Sequence, residues 1–459
     1  MKQLMFILIA IFFLPSLNLA SPIDLKKIVL TEEIAKDAYL WGYPIVRFER
    51  TKRLFTTTPG FGHAPLNSFY HATHLPNPED KGMSNPLPDT LYSSAFLDLR
   101  NQPMILETPK IKDRFYSLQV MDAFTNNISF ISSRTHGEAA GKFFITGPHF
   151  IGTTPPGFER IHSSTNFVWI IGHIAVESPA QVKTAYSYLR KYDLRPYSVY
   201  LGKEKMQKNR LLTAKANLTF DPRKLADAGV RYYDELGMAL LENDPAGLDG
   251  PLLGRFRTIN IGPGLMTSQY ISVREIREAY ERAIASGEIE VDRSIKKDLI
   301  QNRNGWNFVS TRGEFNKYNT VRTALSKVYF GESSAIESIH PVIYVDNNNV
   351  RLNGNFTYLL HFTKDKMPPA KAFWSIAAYD AHERNLVRNN LNRYTLGSYS
   401  KNMVLNSDGS LDIYISANEP NGHIDNWLPV PRGNFYVIMN MYNPSDDVIS
   451  GKYTLPSLQ

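Results

Sequence analysis

Residues 167–176 read Phe-Val-Trp-Ile-Ile-Gly-His-Ile-Ala-Val. A run this apolar leaves no face for water, so as a strand it needs packed layers on both sides of its sheet. His173 is its one polar side chain, and the ordinary expectation is a core histidine with its ring satisfied. The segments around it alternate instead. In 115–121, Tyr116, Leu118 and Val120 share a face, and 90–99, 128–132 and 142–146 also read as strands. Gly and Pro turns between them predict a sandwich or barrel.

The period then changes. Asp221-Pro222 reads as the start of a helix, with Leu225, Gly229, Tyr232, Leu236 and Leu240 on one face and Pro245 at its end. Ser272 and Glu275 have capping-box spacing ahead of Ile276, Tyr280 and Ile284, and Gly287 reads as the stop. A further helix is expected near the N-terminus, capped by Thr31 and kinked or ended by Pro44. Residues 56–90 are rich in Pro, Gly and Asn, and a loop this long inside a domain is more often functional than idle.

Strand patterning returns in the last third. Phe356, Tyr358, Leu360 and Phe362 share one face. Asp408-Gly409, between 403–405 and 411–415, predicts a hairpin with Leu411, Ile413 and Ile415 facing the core. Residues 435–442 read as the closing strand. The fold expected is mainly β, two sandwich or jelly-roll-like domains joined and covered by helices. Its divisions are a leader at 1–20, an N-terminal helical segment at 21–60, a first β domain at 61–190, a helical connector at 191–335 and a second β domain at 336–459.

Composition sets outer limits on function. The chain has no Cys, which removes thiol catalysis, iron–sulfur clusters, Cys-based zinc sites and disulfides. The net charge of +7 is not gathered into Lys/Arg blocks, so nucleic acid is not an expected partner. Lys2, the apolar run 4–14, Pro15-Ser16 and Ala20-Ser21 read as a secretory signal with cleavage near Ala20. A periplasmic or secreted protein with no membrane span after cleavage is expected, and a homo-oligomer is compatible with that. Nucleophile-elbow, dinucleotide-binding, Walker A and His-Glu-x-x-His patterns are absent.

Several short motifs occur in a fixed order: Asp89-Thr90-Leu91-Tyr92-Ser93, Tyr116-Ser117-Leu118-Gln119, Val168-Trp169-Ile170-Ile171-Gly172, Phe373-Trp374-Ser375, Asn392-Arg393-Tyr394 and Asn426-Trp427-Leu428-Pro429. On these the chain resembles bacterial exported proteins that pair the domains of unknown function 1254 (N-terminal) and 1214 (C-terminal). The resemblance implies two all-β domains joined by helices and no particular activity. Two departures stand out. Asn85-Pro86-Leu87-Pro88 replaces a compact Asn-x-Asp-Thr run, and Asn440 stands where an arginine is common.

Three constellations are candidate sites. The first is the loop carrying His71, His74, Asp89 and Tyr92, where Asp89 and His74 could serve as catalytic acid or base and the two His as metal ligands. No specific motif supports a divalent metal, and no cofactor is expected. The second is Asp122, Asn126 and Arg134, a carboxylate, amide and guanidinium suited to a polar ligand, with Arg134 a further catalytic candidate. The third is Asn392, Arg393, Tyr394 and Trp427, polar edges beside an aromatic face. Each has a plainer reading as turn or corner structure. Two functions are therefore expected: a hydrolase-like enzyme on a small polar or carbohydrate-like substrate, or a non-catalytic periplasmic binding or envelope-interaction protein.

Overall fold

The computed structural model describes residues 25–80, 85–207, 211, 221–243, 249–309 and 320–459. The expected leader at 1–20 and the expected helix end at Pro245 lie outside them. Helix and strand are nearly balanced, with several sheets and helices as connectors. The strands of the first domain are β1 (Tyr70–His71), β2 (Thr90–Asp98), β3 (Met104–Thr108), β4 (Tyr116–Asp122), β5 (Asn127–Ser132), β6 (Gly141–Thr146), β7 (Glu159–His162), β8 (Phe167–Ala175) and β9 (Asp193–Pro196). They form a five-stranded sheet in the order β1-β2-β8-β4-β5 and a four-stranded sheet in the order β7-β6-β3-β9. Leu91, Leu118, Val168 and Ile170 of the larger sheet share one core with Met104, Leu106, Phe143 and Ile145 of the smaller. This is a sandwich, and the alternation read in β4 points into it.

The second domain repeats the plan. Its strands are β10 (Ile300–Arg303), β11 (Trp306–Val309), β12 (Ser338–Ile339), β13 (Val342–Ile343), β14 (Tyr358–Phe362), β15 (Ala370–Asp380), β16 (Thr395–Gly397), β17 (Leu411–Ser416), β18 (Trp427–Pro429) and β19 (Phe435–Pro444). A seven-stranded sheet runs β10-β11-β13-β19-β15-β16, with β12 also on β19, and faces a three-stranded sheet β14-β17-β18. Leu411, Ile413 and Ile415 are fully buried between them, as their alternation predicts. The hairpin at Asp408-Gly409 is not formed. The turn closes, with Asn406 N–H donating to Ser410 O at 2.8 Å. Yet β17 pairs with β14, and the backbone of Val404 is held by the side-chain amide of Asn426. Phe356 lies before β14 and is exposed, so only Tyr358, Leu360 and Phe362 share the buried face.

Helices cover the other face of the five-stranded sheet. They are α1 (Leu25–Thr57), α2 (Arg231–Glu242), α3 (Arg274–Ser294) and α4 (Thr320–Val328). Trp169 marks this boundary: its ring stacks on Phe96 at 5.0 Å and on Phe330 at 5.7 Å, and its Nε1 donates to Ser94 Oγ. Truncating such a ring to alanine costs about 3–5 kcal/mol.

Helix boundaries depart from expectation at several points. Thr31 does not cap α1; it lies within the helix and donates to the Lys27 carbonyl. Pro44 neither ends nor interrupts the helix, which continues to Thr57. Its missing N–H strands the Leu40 carbonyl four residues back, and Thr323 Oγ1 of α4 donates to that carbonyl at 2.6 Å. Asp221-Pro222 forms a turn held by Arg223, and α2 begins only at Arg231. No Ser272 cap bond forms at α3, and Gly287 does not stop that helix. A Cβ at 287 would lie 2.6 Å from Tyr39 Cδ1, so glycine there lets α3 pack closely on α1.

The long loop before β2 lies against the second domain. Asn85 N–H donates to the Arg384 carbonyl, Tyr436 OH donates to Asn85 Oδ1, and Tyr379 OH donates to the Pro86 carbonyl. Phe115 and Ala175 meet Phe373 and Tyr442 in a small shared core. The two sandwiches are joined through these contacts.

Candidate functional site

A cavity of about 540 Å³ opens where the two sandwiches and the helical layer meet. Register accounts for its floor. Tyr92 and Ser117 are the cross-strand partners of His173, and Ser94 and Gln119 those of Ile171. All six side chains line the cavity along with Trp169. Thus the apolar run of β8 is covered on one face by the sandwich throughout. On the other face it is covered by helices near Trp169 and by the cavity near His173. His173 is a cavity residue, its Nδ1 3.1 Å from Thr90 Oγ1 and its ring edge-on to Tyr92 at 4.5 Å.

The second domain contributes Ser338 and His340, two residues apart on one short extended segment and both lining the cavity. His340 Nε2 lies 3.1 Å from Ser338 Oγ, and its Nδ1 lies 2.9 Å from Asn440 Oδ1. An amide oxygen only accepts, so Nδ1 carries the ring proton and Nε2 keeps its lone pair. The chain of bonds continues inward. Asn440 Nδ2 donates to Ser375 Oγ at 3.2 Å, and Ser375 donates to the buried carboxylate of Asp89. Each donor and acceptor in this series is used in one consistent direction.

Burial sets the charges. It pushes His340 down to about 4 and His173 to about 3, with the neighbouring His340 lowering His173 further. Both rings are neutral at pH 7. Burial raises Asp89 to about 6, opposed by its bond from Ser375. Glu332, also in the cavity wall, is raised by burial to about 8 and so holds its proton at neutral pH. The remaining wall carries the rings of Phe55, Phe61, Phe115 and Phe330 together with the charged side chains of Arg47, Asp221, Arg223, Lys327 and Arg384.

The residues expected from sequence fall into separate places. Tyr92 lines the cavity, its hydroxyl accepting from Leu87 N–H. Asp89 lies behind the cavity at the end of the His340 series. His71 bonds to Ser93 Oγ and stacks on Phe69, while His74 is exposed and pairs with Asp80. Among the described residues no group of three or more His, Asp or Glu side chains is placed to hold a metal ion. Asp122 is buried and accepts from Phe124 N–H, Asn126 and Ser164, which makes it the organiser of its turn. Arg134 pairs with Glu337 and so ties the rim of the first sandwich to the second domain. Arg393 donates to the carbonyls of Ile424 and Trp427, Tyr394 donates to Asn392, and Trp427 Nε1 donates to the Ser416 carbonyl. These four form a corner and do not line the cavity. For Ser338 and His340 the available sequence signal is the spacing Ser-Ile-His on one strand face, and no sequence pattern marks Glu332 or Arg47.

Residues 66–196 match the family model described as protein of unknown function DUF1254, and residues 337–446 match that described as DUF1214. The chain pairs these two domains in that order. The cavity is built from both: Tyr92, Ser117 and His173 belong to the DUF1254 domain, and Ser338, His340 and Tyr442 to the DUF1214 domain. The VPA0106 protein from Vibrio parahaemolyticus, known from a crystal structure, is 24% identical and superposes with a TM-score of 0.71 over 94% of this chain and 99% of its own. It shares the fold. A Burkholderia cenocepacia structure is 10% identical with a TM-score of 0.44, covering 95% of this chain and 94% of its own, which is too distant to inform the fold. No curated protein sequence matches the chain. Among the described residues no helix is long and apolar enough to cross a membrane.

Proposed function

We propose that the protein is a hydrolase-like enzyme that transfers an acyl group from a small, largely apolar ester or amide to water. The observation that carries this reading is the series Ser338–His340–Asn440 in the cavity wall, a hydroxyl on a histidine whose far nitrogen is held by an acceptor. Ser338 Oγ attacks the acyl carbonyl while His340 Nε2 takes its proton. His340 then gives that proton to the leaving alcohol or amine. Water attacks the acyl-Ser338 ester, His340 takes one of its protons, and the carboxylic acid and the free serine hydroxyl result. The cavity volume suits a ligand of drug-like size. Its aromatic wall favours an apolar body over the carbohydrate-like substrate that the loop residues suggested. The leader in residues 1–20 favours an exported enzyme.

The test is a fluorophosphonate probe and a panel of aryl esters on the purified protein. A Ser338 adduct by mass spectrometry and ester hydrolysis lost in Ser338→Ala are expected. An unlabelled Ser338 with no hydrolysis overturns the reading and leaves ligand binding without chemistry, which the aromatic wall also supports.

A further inference from the structure

Arg47 is a buried charge in the cavity wall that no carboxylate among the described residues balances. It lies in the middle of α1 and is 9% exposed. Its Nε and Nη1 are shut off from solvent and have no hydrogen-bond acceptor among the described residues. The guanidinium sits over the Phe330 ring, 5.0 Å from its centroid. Arg50, three residues along the same helix, is held in the usual manner, with Nε and Nη2 on the Glu235 carboxylate at 2.6 and 2.9 Å. The carboxylate whose field Arg47 feels, Asp221, is already bonded to Arg223 at 2.9 and 3.0 Å. A guanidinium keeps its charge at ordinary pH, so an unbalanced buried one draws its counter-ion from outside the fold.

We infer that Arg47 anchors a carboxylate on the ligand of this cavity, whose apolar body lies against Phe55, Trp169 and Phe330. The other cations in the wall are provided for. Arg223 is on Asp221, Lys327 lies between Glu288 and Asp292, and Arg384 is open to solvent. One guanidinium without a carboxylate partner among the described residues matches a monoanion, and its fixed positive charge in the cavity wall favours a carboxylate over a neutral group. The aromatic wall beside it suits an aryl or alkyl chain. The inference rests on the hydrolase reading only in calling that ligand a substrate. On that reading the substrate is an acyl compound with a second, free carboxylate, such as the half-ester of a dicarboxylic acid.

Binding separates the two ideas. Calorimetry with 4-phenylbutyrate and its neutral analogue 4-phenylbutyramide is done on the wild type, Ser338→Ala and Arg47→Met. The acid should bind at least tenfold more tightly than the amide to the wild type and to Ser338→Ala. Arg47→Met should lose that preference while melting no lower than the wild type, because an unbalanced charge is replaced by an apolar chain of similar length. Equal affinity for acid and amide, no binding of either, or a preference that survives in Arg47→Met overturns the inference. If Arg47→Met folds poorly, the wild-type acid-over-amide ratio decides alone. An acid preference in a protein whose Ser338 resists the phosphonate probe sinks the hydrolase reading and keeps the carboxylate site.

Discussion

His340 Nδ1 lies 2.9 Å from Asn440 Oδ1, and that bond leaves the other ring nitrogen, with its lone pair, on Ser338. Asn440 stands where the family resemblance leads one to expect arginine. A guanidinium has no acceptor and could not hold Nδ1–H. It would instead turn its donors toward Ser375 and Asp89. Asparagine does both tasks, accepting from His340 and donating to Ser375. Asn440→Ala should therefore lower ester turnover by about 10²-fold with the fold intact, since it unfixes the ring and removes no reacting group. Asn440→Asp should raise the His340 pKa, because a carboxylate beside Nδ1–H favours the charged ring. Ester assays check the first and ring ¹⁵N shifts through a pH titration check the second. A wild-type spectrum at pH 7 showing His340 as the Nε2–H tautomer would contradict the arrangement.

Acid should destabilise the protein through its two cavity histidines. Both have folded pKa values depressed below the ordinary 6.5, His340 to about 4 and His173 to about 3, chiefly by burial. Between those values and 6.5 the unfolded chain binds more protons than the folded one. Their stabilisation is present above 6.5 and is lost as pH falls toward 3. Asp89 and Glu332 act in the opposite sense, so the wild-type curve alone does not isolate the histidines. His173→Gln, which keeps a partner for Thr90, should lose less stability between pH 6.5 and 4 than the wild type. Urea unfolding at the two pH values measures the difference.

What could be read from sequence was what short-range periodicity encodes. Leu411, Ile413 and Ile415 alternate and are all buried, and the run in β8 does have cover on both faces for most of its length. The cavity was not legible because its groups come from α1, β8, β12 and β19, and only the closure of one domain on the other brings them together. β12 is two residues long, too short to carry a period. Helix boundaries failed where tertiary contacts override local rules. Pro44 ends a helix unless something satisfies the carbonyl it strands, and Thr323, 283 positions away from Leu40, does so. The apolar run around His173 points to a core position, yet strand register sets it on the cavity face beside Tyr92.

Glu332 should gate anion binding at alkaline pH. Burial raises its carboxyl to about 8. Below that it is neutral, and above it a negative charge enters the cavity wall. Binding of 4-phenylbutyrate should weaken as pH rises through about 8, and Glu332→Gln should remove the decline. For stability the sign is the same: the folded pKa is raised, so the contribution is full below the unfolded value of 4.5 and is lost as pH rises through about 8. Calorimetry at pH 7 and 9 on both proteins tests it. A decline that persists in Glu332→Gln would assign the effect to another group.

Thr323→Val should expose how Pro44 is tolerated. The substitution keeps the shape and removes the hydroxyl that donates to Leu40 O. A buried carbonyl left without a donor costs about 1–3 kcal/mol. The melting temperature should fall, while phosphonate labelling of Ser338 in the remaining folded protein should be unchanged. An unchanged melting temperature would mean that Leu40 finds another donor.

Gly287→Ala reverses the usual rule for a mid-helix glycine. At an open site the change stabilises by about 0.5–1 kcal/mol through the unfolded chain. Here the new Cβ would stand 2.6 Å from Tyr39 Cδ1. The Tyr39 ring has little room to move, being fully buried between Tyr43 and Tyr232 with its hydroxyl on Glu288. Overpacking of this kind costs about 1–3 kcal/mol, so the net effect is a loss. The displacement is transmitted to α1, the helix that carries Arg47 two turns further on. Gly287→Ala should lower the melting temperature and also weaken acid-over-amide discrimination. Pairing it with Tyr39→Leu, which vacates the space, should recover part of both losses. A melting temperature at or above that of the wild type in the single variant would mean that α3 can move away from α1 at little cost.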